Sequence, residues 1–205
     1  MWIIGLTGSI GMGKSTAGRI LESFGVPVHD SDAAVHRAFA PGGAAVPTIE
    51  KTFPGTVSDG IVDRQALGKI VFHDDQAISQ LEGILHPLVQ QDRLKFIRRW
   101  RQQRLFAVAA DVPLLFEVGA DRECDCTIVI SAPAPVQTRR VLSRPGMSKE
   151  RFEAVKARQM PDVEKRRRAD FVVASHMGRR HTSNGLKRIL LGLRLASNSR
   201  ISDLD

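Results

Sequence analysis

Cysteine is nearly missing from this chain of 205 residues: there are two, Cys124 and Cys126. A single intervening residue is poor spacing for an intrachain bridge, and two thiols fall short of a four-ligand zinc site. Both read as free thiols in a reducing compartment, behaving as small apolar residues. Tyrosine is absent altogether, so any stacking on a base has to come from Phe, Trp, His or Arg. No apolar run approaches the roughly 18 to 20 residues that cross a bilayer. Met1-Trp2 leads into a short apolar stretch with neither a basic leader nor a cleavage site. The expectation is a cytoplasmic protein with no membrane partner.

What is present suffices for one α/β domain with a small insertion. Hydrophobic residues make up 42% and charged residues 25% of the chain, which disfavours intrinsic disorder. The net charge of +8 first suggests nucleic acid, but its location argues otherwise. Residues 137–168 hold eleven Lys or Arg against four Asp or Glu, and residues 93–104 hold six basic residues and no acid. These two stretches exceed the whole net charge and leave a mildly acidic body. Two local patches fit a polyanionic small molecule better than a duplex, so no nucleic-acid partner is expected.

Five short apolar runs read as buried strands: Trp2–Leu6, Val26–Asp30, Leu105–Asp111, Cys126–Ser131 and Asp170–Ala174. Continuous rather than alternating runs, separated by helical segments, are what a parallel sheet covered on both faces requires. Ala17, Ile20, Leu21 and Phe24 share one helical face, with Gly25 as its stop. Between Asp32 and Arg104 the spacing of Ile78, Leu81, Leu85, Leu88 and Val89 is helical, interrupted by the Gly/Pro-rich stretch 41–60. This reads as a helical insertion after the second strand. Residues 136–168 read as a helical, polar lid that breaks at Arg144-Pro145-Gly146, and the polar tail from about Ala196 is expected to fray.

The chemistry begins right after the first strand. Gly8 to Ser15 spell GSIGMGKS, the GxxxxGK[ST] phosphate-loop pattern, set between a predicted strand and a predicted helix as the pattern requires. Gly8, Gly11 and Gly13 admit the backbone angles and close approach that let successive N–H groups face phosphate oxygens. Met12 and Thr16 complete the ATP-binding stretch. Lys14 can reach the β- and γ-phosphates, and the Ser15 hydroxyl can ligate the Mg²⁺ that accompanies ATP. No NKxD guanine motif occurs, so ATP is the expected donor. At the end of the second strand stand Asp30 and Asp32. Either carboxylate could take or orient the proton of an attacking hydroxyl, and Asp32 could instead cap the helix that begins with AAVHRAF.

These segments are followed by His36, by Leu85-His86-Pro87-Leu88-Val89, by Asp111-Val-Pro-Leu-Leu-Phe-Glu117, and by Arg158-Gln159-Met160-Pro161 with Glu164-Lys165 and Ala169-Asp170. In this order and spacing the chain resembles the dephospho-CoA kinase family from about residue 3 to 174. The resemblance implies transfer of the ATP γ-phosphate to the ribose 3′-hydroxyl of dephospho-coenzyme A. It also implies a three-layer α/β P-loop nucleoside triphosphate hydrolase fold, with a five-stranded parallel sheet, a helical insertion and a lid. Residues 1–31 and 105–205 would form the nucleotide core, 32–104 the acceptor-binding insertion, and 136–168 the lid.

Carried over by position, Asp32 matches the general base, and Lys14 and Ser15 keep their phosphate and metal roles. Arg140 and Arg144 match lid arginines, whose guanidinium forks can grip transferring phosphate oxygens. Asp111 would hold a magnesium-bound water. His86, Pro87 and Leu114, Leu115, Phe116 and Glu117 would shape the acceptor site, with His36 a weaker candidate. Arg98, Arg99 and Arg101 read as a solvated face, and Lys165 to Arg168 as complements to a helix carboxyl end. Ser9 and Met12 depart from the family's usual glycine and serine. Ala174-Ser175-His176-Met177-Gly178 departs from its usual asparagine-containing turn. ATP and dephospho-coenzyme A are the expected partners, for a monomer or small homo-oligomer. The nearest rival is a kinase of the same architecture acting on a nucleoside monophosphate or a sugar.

Overall fold

The computed structural model describes residues 1–71 and 74–202, with side chains up to 197. The expected tail therefore lies partly outside the described residues. In chain order the elements are β1 (Trp2–Thr7), α1 (Lys14–Ser23), β2 (Val28–Asp30), α2 (Ser31–Phe39), α3 (Val46–Thr52), β3 (Val57–Ser58), β4 (Ile61–Val62), α4 (Arg64–Val71), α5 (Asp75–Gln102), β5 (Ala107–Asp111), β6 (Cys126–Ser131), α6 (Ala134–Leu142), α7 (Lys149–Ala157), α8 (Asp162–Arg168), β7 (Phe171–Ala174) and α9 (Arg179–Ser202). A short 3₁₀ turn covers Ala120–Glu123. The chain divides into two compact units, Asp30–Arg99 and the remainder, Met1–His29 with Trp100 onward.

The larger unit is built on a five-stranded sheet of order β2-β5-β1-β6-β7. The pairs β1–β5, β1–β6 and β6–β7 are parallel. Alternation within each strand decides what covers each face. Ile4 and Leu6 of β1, Ala107 and Ala109 of β5, and Ile128 and Ile130 of β6 pack with Ala17, Ile20 and Leu21 of α1 and Leu186, Leu190 and Leu193 of α9. The opposite face takes Ala110 together with Val112, Leu115 and Ala120 from the segment after β5. Gly5 faces that side too: a Cβ there would lie 2.9 Å from both Cys124 Sγ and a Leu115 methyl. Cys126 is buried among the α1/α9 set. Burial, reinforced by the neighbouring Asp170 and Asp125 charges, pushes its thiol up to about 12, which keeps it a protonated packing group.

Two strands begin two residues later than their apolar runs suggest, and β7 begins one later, at Phe171. Pro27 has no N–H to give, and β2 starts at Val28. Leu105 and Phe106 precede β5, which starts at Ala107. α1 ends as expected, with Gly25 at φ +76 after Phe24. α9 runs on past Ala196 to Ser202. Its Ser197 hydroxyl accepts a 2.7 Å bond from the Trp2 indole N–H.

The smaller unit has its own core of Ala38, Phe39, Ala45, Ile49, Phe53, Val62, Leu67 and Ala77, against which Leu81, Ile84, Leu85 and Leu88 of α5 pack. It is not wholly helical. β3 and β4 pair antiparallel, Val57 with Val62 and Ser58 with Ile61. The turn residues Asp59 and Gly60 both have positive φ, 51° and 73°, the conformation that an Asp-Gly hairpin turn requires.

Candidate active site

β1 carries Thr7 to the carboxyl edge of the sheet, where its hydroxyl donates to the Pro113 carbonyl at 3.1 Å. The chain can turn away there only because residue 8 is glycine: a Cβ on Gly8 would lie 2.5 Å from the Ile130 carbonyl oxygen of β6. Gly11, at φ +77, would place a Cβ 2.5 Å from a Val141 methyl, so any side chain would push α6 off the loop. Met12 is buried at 2% exposure. Its N–H closes a turn onto the Ser9 carbonyl at 3.1 Å, and its sulfur accepts the Ala132 N–H at 3.1 Å.

Gly13 is the N-cap of α1, with no side-chain cap and no acidic residue in the first turn. The leading N–H groups of the helix therefore lack the usual internal acceptor, and the helix dipole places positive potential at the same spot. That combination is a site for an anion.

Lys14 and Asp111 meet beside this helix end. The Lys14 ammonium is bound to Oδ1 of Asp111, and their side chains are 15% and 8% exposed. Asp111 ends β5, the strand paired with β1, so parallel neighbours bring the lysine and the carboxylate together. Arg140 of α6 reaches the far rim of the loop. Its guanidinium donates to the Ser175 hydroxyl at 2.9 Å, to the Ser175 carbonyl at 2.8 Å and to the Gly11 carbonyl at 3.4 Å. In this structure the fork grips protein rather than projecting freely. Ser175 in turn donates to the Met12 carbonyl at 2.6 Å. Arg144 is exposed in the turn that follows α6.

The segment Val112–Glu117 corrects two expectations. Leu115 is fully buried in the core and does not face an acceptor. Glu117 accepts the Met160 N–H at 2.8 Å and pairs with Lys165 at 2.9 Å. Lys165 is itself fully buried, with its ammonium also donating to the Pro113 carbonyl at 3.0 Å. It is a buried anchor rather than a complement to a helix carboxyl end, whereas Arg166, Arg167 and Arg168 stay exposed in the last turn of α8. Removing the lysine would strand Glu117 and the Pro113 carbonyl, so Lys165→Met is expected to cost about 3 kcal/mol of stability in denaturant unfolding. A loss below about 1 kcal/mol would show the pair to be dispensable. Phe116 is nearly buried, at 6%, and Leu114 half-buried. The stretch 136–168 is likewise packed at its roots, with Gln137, Val141, Phe152 and Lys165 all buried.

In the smaller unit the cap of α2 is Asp30, whose carboxylate accepts the Ala33 N–H at 3.0 Å. Asp32 sits exposed in the first turn, and the capping duty does not fall on it. Arg64 contacts both ring nitrogens of His36, at 3.1 and 3.3 Å. His86 is exposed on α5, and Pro87 lies inside that helix. Arg98, Arg99 and Arg101 are exposed, as expected of a solvated face, whereas Arg93 of the same basic run is buried at 7%.

The dephospho-CoA kinase family model matches residues 2–179. The chain belongs to the dephospho-CoA kinase family. A dephospho-CoA kinase of Paramagnetospirillum magneticum is 55% identical over 166 residues, covering 81% of this chain and 78% of that protein. One from Mesorhizobium japonicum is 50% identical over 178 residues, 87% of this chain and 89% of the relative. Among solved structures, TT1252 from Thermus thermophilus superposes with a TM-score of 0.80 at 35% identity, covering 93% of this chain and 96% of its own. Dephospho-CoA kinase from Campylobacter jejuni, at 22% identity and TM-score 0.61 with the same coverage, shares the fold.

For a member of the dephospho-CoA kinase family, the residues that sequence reasoning missed are those that brace the phosphate loop. Gln137 carries no pattern of its own, and Ser175, within the turn that departs from the family's, gave no sign of its bond to the Met12 carbonyl. The available signal was a lone amide or hydroxyl within an arginine-rich or apolar stretch.

Proposed function

We propose that this chain transfers the γ-phosphate of ATP to the ribose 3′-hydroxyl of dephospho-coenzyme A, giving coenzyme A and ADP. One observation carries the reading: in a chain of this family, the glycine-rich loop opens onto an uncapped helix end with Lys14 already beside it. Phosphoryl transfer asks a protein mainly to position the reactants and offset charge. The loop N–H groups and the end of α1 would cradle the phosphates. Lys14, held in place by Asp111, would meet the triphosphate with little side-chain freedom left to lose. Asp32 would orient the acceptor hydroxyl and take its proton as the bond to phosphorus forms. Arg140 and Arg144 would offset charge that grows on the transferring oxygens, while His86, Pro87, Leu114 and Phe116 would contribute to acceptor binding.

The donor set near the loop suits magnesium. Ser15 and Asp111 offer two hard oxygens, and no cluster of three His, Cys, Asp or Glu side chains occurs among the described residues. That is the expected complement for an ion that keeps its waters and is completed by substrate phosphates. When bound, Mg²⁺ would neutralise phosphate charge, with Ser15 and Asp111 as its holders.

Comparing acceptors at fixed ATP and Mg²⁺ tests the assignment. Mass spectrometry should find one added phosphate on dephospho-coenzyme A and none on adenosine, AMP or gluconate. Phosphate on one of the others instead would keep the phosphate-loop argument and discard the acceptor.

A further inference from the structure

The apex of the phosphate loop is held by two side-chain amides that approach it from different elements. The Gln159 side-chain carbonyl accepts the Ile10 N–H at 2.9 Å. The Gln137 side-chain amide of α6 donates to the Ile10 carbonyl at 2.8 Å. Both polar groups of one loop residue are therefore taken by carboxamides. Each contact fixes a whole peptide plane, because the peptide unit is rigid and its C=O and N–H point in opposite directions.

The plane between Ser9 and Ile10 is fixed at both ends, by Gln159 on the N–H and by the Met12 N–H on the Ser9 carbonyl at 3.1 Å. In the plane between Ile10 and Gly11, Gln137 holds the carbonyl, so the Gly11 N–H is aimed away from α6. Gly11 has the most latitude in this stretch, at φ +77 with no side chain. Without the clamps its plane could rotate at little cost.

Gln159 is itself fixed from the other side. The next residue, Met160, donates its N–H to Glu117 at 2.8 Å, and Glu117 is paired with the buried Lys165. The segment from Arg158 to Pro161 thus ties the loop apex to the segment that follows Asp111. Gln137 is only 5% exposed, so its amide is as firmly placed as the helix that carries it.

We propose that Gln159 and Gln137 are positioning residues for the phosphate loop: their carboxamides set the two peptide planes at its apex, holding the loop shaped for a triphosphate before nucleotide arrives. The inference rests on the reading of this loop as the ATP site. Neither residue touches the reacting atoms in this account. Their effect is on donor affinity, through the aim of the Gly11 N–H and its neighbours.

The test uses Gln159→Met, which keeps length and removes the acceptor, and Gln159→Glu, which restores an acceptor. For Gln159→Met the expected result is a roughly tenfold rise in ADP Kd and in KM for ATP, the loss expected for one hydrogen bond. KM for the acceptor should stay unchanged and kcat should stay within about twofold, the pattern of lost uniform binding. Amide hydrogen exchange at Ile10 should speed up in Gln159→Met and slow again in Gln159→Glu. An unchanged ADP Kd in Gln159→Met would overturn the proposal. So would an affinity loss matched by an equal rise in acceptor KM and a lowered unfolding midpoint, which would mark general destabilisation. If the wild-type protein itself bound no ADP or ATP, the ATP reading would fail before the clamp was tested.

Discussion

Lys14→Met is expected to lower kcat/KM for ATP by about 10² to 10³-fold, the range seen when one preorganised electrostatic partner is removed from a reacting centre. The variant should also lose stability. Asp111 is only 8% exposed on its side chain and is paired with Lys14, and removing one member of such a pair leaves a buried charge at a cost of about 3 kcal/mol. The two effects separate in the double variant. Lys14→Met with Asp111→Asn should regain most of the stability, measured by denaturant unfolding, while turnover stays as low as in the single variant or lower. Recovered turnover in the double variant would mean that Lys14 serves only to neutralise Asp111.

The second large effect is expected at Asp32. Asp32→Asn should reduce kcat by about 10² to 10⁴-fold, the usual contribution of a positioned general base, with ADP affinity close to wild type. Asp30 provides the contrast, because the structure gives it the capping bond to Ala33. Asp30→Ala should cost about 1 kcal/mol of stability for the lost cap and change kcat only a few-fold. A near-normal rate for Asp32→Asn in a steady-state assay with saturating substrates would remove Asp32 as the base.

The contrast between these two aspartates shows how far the sequence reaches. Reading DSDAAVHRAF offers Asp32 as the cap of α2, but the cap is Asp30, extended at φ −92 and ψ 110 with its carboxylate on the Ala33 N–H. The phosphate loop was legible because its glycines, lysine and serine sit at fixed local spacing. The sheet was legible because strands buried on both faces leave continuous apolar runs. Features that depend on distant pairing were not. Lys165 looks like one of four basic residues in a row, and only contacts with Glu117 and Pro113, about fifty positions earlier, show it buried. Leu115 looks like pocket lining within a PLLF run, but it packs beneath the glycine at position 5 of β1. The β3–β4 hairpin leaves no apolar run in the sequence, because its strands are two residues each. The Asp59-Gly60 dipeptide was the signal that could have found it. The Trp2 bond to Ser197 spans nearly the whole sequence, and no local pattern announces it.

Transfer of the donor's terminal phosphate to one hydroxyl of one acceptor can be followed with ATP carrying an isotopic label in its γ-phosphate. The protein is incubated with dephospho-coenzyme A and Mg²⁺, and the product is fragmented in a mass spectrometer. The expected result is one labelled phosphate at the ribose 3′ position and an equal amount of ADP. Label recovered only as inorganic phosphate, or on a different hydroxyl, would contradict it.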